Sequence, residues 1–278
     1  MKAPPFRYAR PRTLDAALEL LAEGGDARLL AGGQSLVPAL NMRLLEPTLL
    51  IDINGLDELN GISESRGGIR IGALTRQAAL GASDIVAGRA PLLTTAVPFI
   101  AHEAIRNRGT FGGSLVQADP AAELPACVVA LDAQLEIAGP RGRRRVAARD
   151  FFKGVYETAL AHDEILVAAE IPAQRGATLF LELARRQGDY AIAGLAGWAA
   201  LQQGRIAEAR LVFFGTDIRA VEAKTASAAL PTSLEAAIAA LDRDLTPVAD
   251  FNASAAMKRH LAGALLRRAC AAAMARAA

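Results

Sequence analysis

The chain has 278 residues, of which 52% are hydrophobic and 22% charged, and its formal net charge is +2. This composition is typical of a globular protein with a substantial core and excludes a largely disordered chain. Because 31 basic residues are balanced by 29 acidic ones, there is no strong positive field, and nucleic-acid binding is not indicated.

The apolar segments and the cysteine content argue against a membrane-spanning protein, a secreted protein and a protein that holds its own metal cluster. The longest apolar stretches, 124–131 and 191–201, are shorter than the ~20 residues that span a bilayer, and the N-terminus lacks the apolar segment of a signal peptide. Cys127 and Cys270 lie in apolar helical patterns, which predicts buried thiols in a reducing cytoplasm. Two cysteines are too few for an iron–sulfur cluster, and with three histidines no metal site is predicted.

The first third of the chain predicts a strand–helix–strand unit. Its elements are a helix over 14–23, a strand over 27–32, a helix over 35–45 and a strand over 48–53. Thr13 and Ser35 are the expected N-caps, and Gly24 with Gly25 ends the first helix. A glycine pair therefore lies at the corner between the first strand and the second helix.

The middle of the chain alternates in the same way. The predicted elements are a strand over 68–74, a helix capped by Thr75, helices over 91–102 and 120–131, a strand over 133–139, a basic turn over 140–145 and a strand over 163–172. After a boundary near residue 175 come a strand over 178–186, a hairpin over 194–215 turning at Gln203-Gly204, and helices over 233–245 and 255–277. The last helix carries a stripe that is expected to face the core: Met257, Leu261, Leu265, Leu266, Cys270 and Met274.

The first glycine pair belongs to the segment Gly32-Gly33-Gln34-Ser35. Glycine permits a positive φ and close approach of the backbone to a ligand, and a helix start supplies unpaired N–H groups that favour a phosphate. Ser35 adds a hydroxyl donor. Taken alone, the segment is better interpreted as a tight turn with a capping serine.

A second pair, Gly112-Gly113-Ser114, follows Thr110 and changes this interpretation. Two such loops, about 80 residues apart, are suited to clamp the two phosphates of a pyrophosphate from opposite sides. Neither loop has the spacing of a Rossmann or Walker motif. Arg106 and Arg108 lie nearby, and each is expected either to contact phosphate or to pair locally.

Four other positions are weaker candidates for a functional role. Glu123 either accepts hydrogen bonds from a ribose or places negative charge in the first turn of a helix, and the second is favoured. Tyr190, in a polar turn that contains a glycine, is either a surface residue or a lid over a flat ring. Asp52 and Asp57 are typical of turns and caps.

Taken together, segments 31–56 and 105–126 closely resemble the FAD-binding medium subunit of molybdenum hydroxylases, the family of carbon monoxide and xanthine dehydrogenases. The resemblance continues through 164–172 and 180–194, so it covers essentially the whole chain. It implies an α+β protein: a two-subdomain FAD-binding domain of the vanillyl-alcohol-oxidase (PCMH) type over 1–175, with subdomains of about 1–55 and 56–175, and a smaller α+β domain over 176–278.

The resemblance also implies a set of cofactor-binding residues and no catalytic side chain. The FAD pyrophosphate would lie between the two glycine loops, the adenine against Ile100, and the isoalloxazine near Leu166 and Tyr190, with Glu123 also contacting the cofactor. The implied residues are Ala31, Gly32, Gly33, Gln34, Ser35, Leu36, Ile100, Thr110, Gly112, Gly113, Ser114, Glu123, Leu166 and Tyr190.

Three positions depart from the family pattern. Gln34 replaces the histidine of the carbon monoxide enzymes, Ser114 replaces a frequent asparagine, and Glu182 replaces a lysine of several relatives. These changes favour, slightly, the enzymes that hydroxylate N-heterocycles.

The resemblance implies an electron-transfer subunit in the cytoplasm. Its partners would be a large subunit with molybdopterin and a small subunit with two [2Fe–2S] clusters, in a dimer of heterotrimers. Electrons would enter FAD from a cluster and leave to an external acceptor. Two other functions remain open: a stand-alone flavin oxidase or reductase of the same fold, and a non-enzymatic anion-binding module.

Overall fold

Helices and strands alternate along most of the chain in the computed structural model, which describes residues 2–23 and 25–277. Gly24, one of the two glycines expected to end the first helix, lies outside the described residues. The helices are α1 Leu14–Ala22, α2 Leu36–Asn41, α3 Gln77–Gly81, α4 Asp84–Arg89, α5 Pro91–Ala96, α6 Glu103–Arg106, α7 Phe111–Gln117, α8 Glu123–Ala130, α9 Ala148–Phe151, α10 Lys224–Ala229, α11 Leu234–Asp244 and α12 Ala255–Ala277. The strands are β1 Arg7–Ala9, β2 Ala27–Leu30, β3 Leu49–Asp52, β4 Ile62–Ser65, β5 Gly68–Gly72, β6 Gln134–Gly139, β7 Gly142–Ala147, β8 Phe152–Gly154, β9 Glu157–Thr158, β10 Ile165–Pro172, β11 Ala177–Leu183, β12 Ala193–Gln202, β13 Arg205–Phe214 and β14 Val221–Glu222.

These strands form three main sheets and one small hairpin. The first sheet is parallel, with the order β1-β3-β2, and contains the predicted strand–helix–strand unit. The second is antiparallel, with the order β4-β5-β10-β6-β7, and the third is antiparallel, with the order β11-β12-β13-β14. Strands β8 and β9 pair separately. The combination of these sheets with helices confirms the α+β class.

Three hydrophobic clusters hold these layers together. Strand β10 is buried on both faces: Leu166 and Ile171 belong to the central cluster, while Ile165 and Val167 face the cluster beneath the parallel sheet. Strand β12 shows the same alternation, because Trp198 packs into the central cluster, whereas the odd-numbered Ala193, Leu195 and Ala199 belong to the cluster that contains the C-terminal helices. The central cluster therefore contains residues from both sides of the expected boundary near 175.

Several local predictions are corrected by the structure. Ser35 has helical φ and ψ angles and makes no side-chain capping bond, and the helix after it ends at Asn41 rather than 45. The Thr75 hydroxyl binds the backbone of Gly61 instead of capping a helix. The basic segment 140–145 is largely strand β7, at the edge of the second sheet, where paired arginines suit an exposed edge. The segment 91–102 is helical only to Phe99, where Pro98 tightens its end.

The C-terminal predictions agree more closely. The hairpin turns at Gln203 and Gly204, whose φ angles are +50° and +75°, as a two-residue turn with two positive φ values requires. In α12 the buried stripe contains Leu265, Leu266 and Cys270, but Met257 and Met274 are exposed, which corrects the ends of the predicted stripe. Within the residues that the structure describes, no helix is long and apolar enough to cross a membrane.

Candidate cofactor-binding site

The two glycine motifs, predicted 80 residues apart in sequence, lie against each other in the structure. A Cβ atom added to Gly32 would lie 2.4 Å from the carbonyl oxygen of Arg108 and 2.8 Å from the Cα of Gly109. Only a glycine permits this contact, because an added methyl group would overlap backbone atoms. The first loop, residues 31–36, and the second motif, residues 108–114, therefore form one site.

The first loop presents a row of free backbone donors. Among the hydrogen bonds of the described residues, none is donated by the N–H groups of the five consecutive residues from Gly32 to Leu36. Gly33 has a φ of +72°, which turns the chain at this point, and the Gln34 side chain folds back so that Nε2 donates to the Gly32 carbonyl oxygen over 2.8 Å. Consecutive N–H groups in such a turn form an anion-binding concavity.

The second motif is the start of a helix and uses its donors differently. Thr110 is the N-cap of α7, and its hydroxyl accepts from the Gly113 N–H over 3.1 Å. The Gly112 N–H donates to Ala73 O over 2.8 Å, and the Ser114 N–H donates to Thr110 O. The backbone N–H groups of Gly112, Gly113 and Ser114 are thus occupied by protein atoms. The hydroxyl of Ser114 makes no hydrogen bond within the described part of the chain, so it is a free donor at the start of α7.

A polar bridge connects the two motifs. The Asn54 side chain donates from Nδ2 to the carbonyl oxygen of Ala31 over 2.8 Å and accepts at Oδ1 from Arg76 Nη2, also over 2.8 Å. Arg76 Nη1 donates to the carbonyl oxygen of Arg108. Asp52 Oδ1 accepts from the backbone and the side chain of Asn54. Asp52 is therefore a turn residue, as expected, but it also orients Asn54.

Ile100 and the segment before β12 lie beside this site. Ile100 is 8% exposed and its side chain belongs to the central core. Arg106 donates from Nη1 to the carbonyl oxygens of Ile100 and Ala101 over 2.8 and 3.0 Å, so this guanidinium is held locally. A Cβ on Gly188 would lie 2.8 Å from Ala101 O, which brings the turn that contains Tyr190 against the same segment.

Leu166 lies behind the second motif. The Ala73 N–H donates to Val167 O while Ala73 O accepts from Gly112, so hydrogen bonds connect Gly112 to the residue next to Leu166. The Leu166 side chain is 4% exposed and packs in the core. Leu166 is therefore almost fully buried behind the second motif.

Three carboxyl groups form the acidic part of the site. Glu123 begins α8 and is 8% exposed. Burial raises its pKa to about 7; the hydrogen bond from its own backbone N–H lowers the pKa, and the charge of Asp119 raises it. Burial, then the charge of Glu123, raises the pKa of Glu182 to about 8, and Glu182 Oε2 is buried without a hydrogen-bond partner in the described residues. Burial also raises the pKa of Asp119. Asp119 accepts from the Ala121 N–H and from Tyr156, whereas Glu182 Oε2 still lacks the donor that a bound molecule could supply.

Two tyrosines border these acids. Tyr156 donates to Asp119 over 3.4 Å, a long hydrogen bond. Partial burial is the main cause that raises the pKa of Tyr190, and the negative charges of Asp119 and Glu123 raise it further. Tyr190 nevertheless remains 68% exposed. Tyr190 and Glu123 therefore lie in one electrostatic environment, with the tyrosine ring on the solvent side.

Sequence reasoning missed Asn54, Arg76, Asp119 and Tyr156. One signal pointed to Asn54. This residue follows strand β3, and the first loop follows strand β2, which pairs with β3 in the parallel sheet. The carboxyl ends of adjacent parallel strands lie at the same edge of a sheet. Arg76 has no such signal, because it reaches the site from another sheet.

Comparison with known proteins agrees with this geometry. Residues 4–174 match the family model described as the FAD binding domain in molybdopterin dehydrogenase, and residues 178–273 match the CO dehydrogenase flavoprotein C-terminal domain. The 6-hydroxypseudooxynicotine dehydrogenase complex subunit alpha of Paenarthrobacter nicotinovorans is 38% identical, over 100% of this chain and 97% of its own length.

Two further relatives cover the whole chain. The carbon monoxide dehydrogenase medium chain of Hydrogenophaga pseudoflava is 37% identical over 100% of both proteins. The crystal structure of quinoline 2-oxidoreductase from Pseudomonas putida 86 contains a chain that superimposes with a TM-score of 0.95, at 37% identity, over 100% of this chain and 99% of that one. The chain belongs to the family of FAD-binding medium subunits of molybdenum hydroxylases, which are oxidoreductase subunits.

The residues present fit the family's cofactor. Five free N–H groups and the Ser114 hydroxyl suit the oxygens of a pyrophosphate, and the buried carboxyl of Glu123 suits a hydroxyl donor. The Gly32 contact that brings the two motifs together further supports a shared binding site.

Proposed function

We propose that this chain binds the FAD pyrophosphate between the first loop and the start of α7. Ala31, Gly32, Gly33, Gln34, Ser35 and Leu36 would supply the backbone donors, and Thr110, Gly112, Gly113 and Ser114 the opposite wall. Ile100, Glu123, Leu166 and Tyr190 would contact the rest of the cofactor. The observation that carries the proposal is the row of free N–H groups from Gly32 to Leu36 beside the second glycine motif.

In this proposal the chain is the electron-transfer subunit of a heteromeric complex. FAD, when bound, accepts electrons singly and releases them as a pair, whereas the protein holds, orients and shields the cofactor. Electrons would arrive from the [2Fe–2S] clusters of a small partner subunit, downstream of a large subunit with molybdopterin, and leave to an external acceptor. The relatives named as a medium chain and as a complex subunit support this.

The proposal extends to organisation and location. We divide the chain near residue 175, with subdomains of about 1–55 and 56–175, because the parallel sheet ends at Asp52, the second sheet at Pro172, and the third begins at Ala177. The assembly would be a dimer of heterotrimers. A cytoplasmic location is supported by Cys127 and Cys270, both buried free thiols.

Expression of the full chain together with its partner subunits tests the proposal. We expect a yellow complex with about one FAD per chain and with molybdopterin and iron–sulfur subunits that copurify. Protein without a flavin spectrum after reconstitution would contradict FAD binding. A chain that purifies alone and turns over an organic substrate would instead support the stand-alone flavin enzyme.

A further inference from the structure

The two motifs of the proposed site are joined by hydrogen bonds through only two side chains. Within residues 2–23 and 25–277, no hydrogen bond runs directly from residues 31–36 to residues 105–114. The link instead passes from Ala31 O to Asn54, from Asn54 to Arg76, and from Arg76 to the carbonyl oxygen of Arg108. That carbonyl is the one that contacts Gly32.

This link is itself held in place. Asn54 Nδ2 also donates to Asp52 Oδ1 over 2.7 Å, and the Tyr8 hydroxyl donates to Asp52 Oδ2 over 2.5 Å. Asp52 ends the central strand of the parallel sheet, whereas Arg76 immediately precedes α3 and pairs with Thr110 as an isolated bridge. The two side chains therefore connect the first sheet to the segment that starts α7.

We propose that Arg76 and Asn54 are positioning residues that keep the two glycine motifs at a fixed spacing around the FAD pyrophosphate. This inference rests on the proposed function and adds residues that do not touch the phosphates themselves. The flat guanidinium of arginine donates to two acceptors in different directions at once, which the point charge of lysine cannot reproduce. The amide of Asn54 must likewise both donate to Ala31 and accept from Arg76.

Four variants of the full chain test this. Arg76→Ala removes the link, Arg76→Lys keeps its charge, and Asn54→Asp keeps the acceptor for Arg76 but loses the donor to Ala31. Arg89→Ala is the matched control, because Arg89 also makes a two-bonded contact, with Glu64, on strand β4. Each protein is stripped of flavin and titrated with FAD and, separately, with ADP, which carries the adenosine and the two phosphates but no flavin. Melting temperatures without ligand check that each variant is folded.

We expect the Kd for FAD to rise about 10- to 100-fold in Arg76→Ala, Arg76→Lys and Asn54→Asp, the factor that corresponds to the loss of a hydrogen bond to a charged or buried group. The Kd for ADP should rise by a similar factor, and Arg89→Ala should match the wild type. Unchanged affinities in folded Arg76→Ala, lysine that replaces arginine without loss, or an equal loss in Arg89→Ala would each overturn the inference. A wild-type chain that binds neither FAD nor ADP would contradict the proposed function itself, and the inference with it.

Discussion

Replacing Gly32 with alanine tests whether the two glycine motifs must touch. The new Cβ would lie 2.4 Å from Arg108 O, 2.8 Å from Gly109 Cα and 3.0 Å from Arg108 C, all of them backbone atoms that cannot rotate away. The loops must separate by about 1 Å before these contacts reach van der Waals distance. Overpacking of this kind costs about 1–3 kcal/mol of stability.

The effect on the cofactor should exceed the effect on the fold. A shift of about 1 Å misaligns several N–H groups toward the pyrophosphate, so we expect the Kd for FAD to rise about 100-fold or more. Gly88→Ala is the matched control: this glycine lies in helix α4, and nothing lies within 4 Å of its added Cβ. It should leave FAD binding unchanged and stabilise the protein by about 0.5–1 kcal/mol.

Urea unfolding and flavin titration of both variants provide the measurement. Wild-type stability together with wild-type FAD affinity in Gly32→Ala would refute the argument, because it would mean that the motifs separate freely. A loss of FAD affinity in Gly88→Ala as large as in Gly32→Ala would refute it as well, since the effect would then not depend on the contact with Arg108.

Three further predictions follow from other contacts. Because burial raises the pKa of Glu182 to about 8, the folded protein keeps a proton that the unfolded chain has lost at neutral pH. The free energy of unfolding should therefore fall as the pH rises from the ordinary carboxyl range toward 8. Urea titrations at several pH values measure this slope, which should be flatter in Glu182→Gln. Lys258 is buried and donates from Nζ to Gly215 O over 2.7 Å and to Asp250 over 2.8 Å, so Lys258→Met should lower the free energy of unfolding by about 2–3 kcal/mol, whereas a melting curve identical to the wild type would contradict this. Thr110→Ala removes the N-cap of α7 and should cost about 1 kcal/mol, measured by chemical denaturation, with Thr110→Ser as the conservative variant that retains the bond.

The sequence alone determined the elements whose signals are local. Alternating or helical apolar patterns identified β10, the β12–β13 hairpin and α12, because periodicity depends only on near neighbours along the chain. Motif content identified the family and FAD. The caps were less predictable. Thr13 does cap α1, but Ser35 makes no capping bond, and the Thr75 hydroxyl bonds to the backbone of Gly61 instead, because other partners compete for one hydroxyl.

The tertiary structure decided how the site is assembled. It showed that Gly32 contacts Arg108, that the donors of Gly112 and Gly113 are occupied within the protein, and that Asn54 and Arg76 bridge the motifs. It also brought Glu123 and Glu182 close enough for one charge to shift the pKa of the other. Apart from the local cap between Thr110 and Gly113, these contacts join residues that lie far apart along the chain, so periodicity and local spacing do not reveal them. The glycine pairs therefore predict a phosphate site, but only folding determines which of their N–H groups remain free for the proposed ligand.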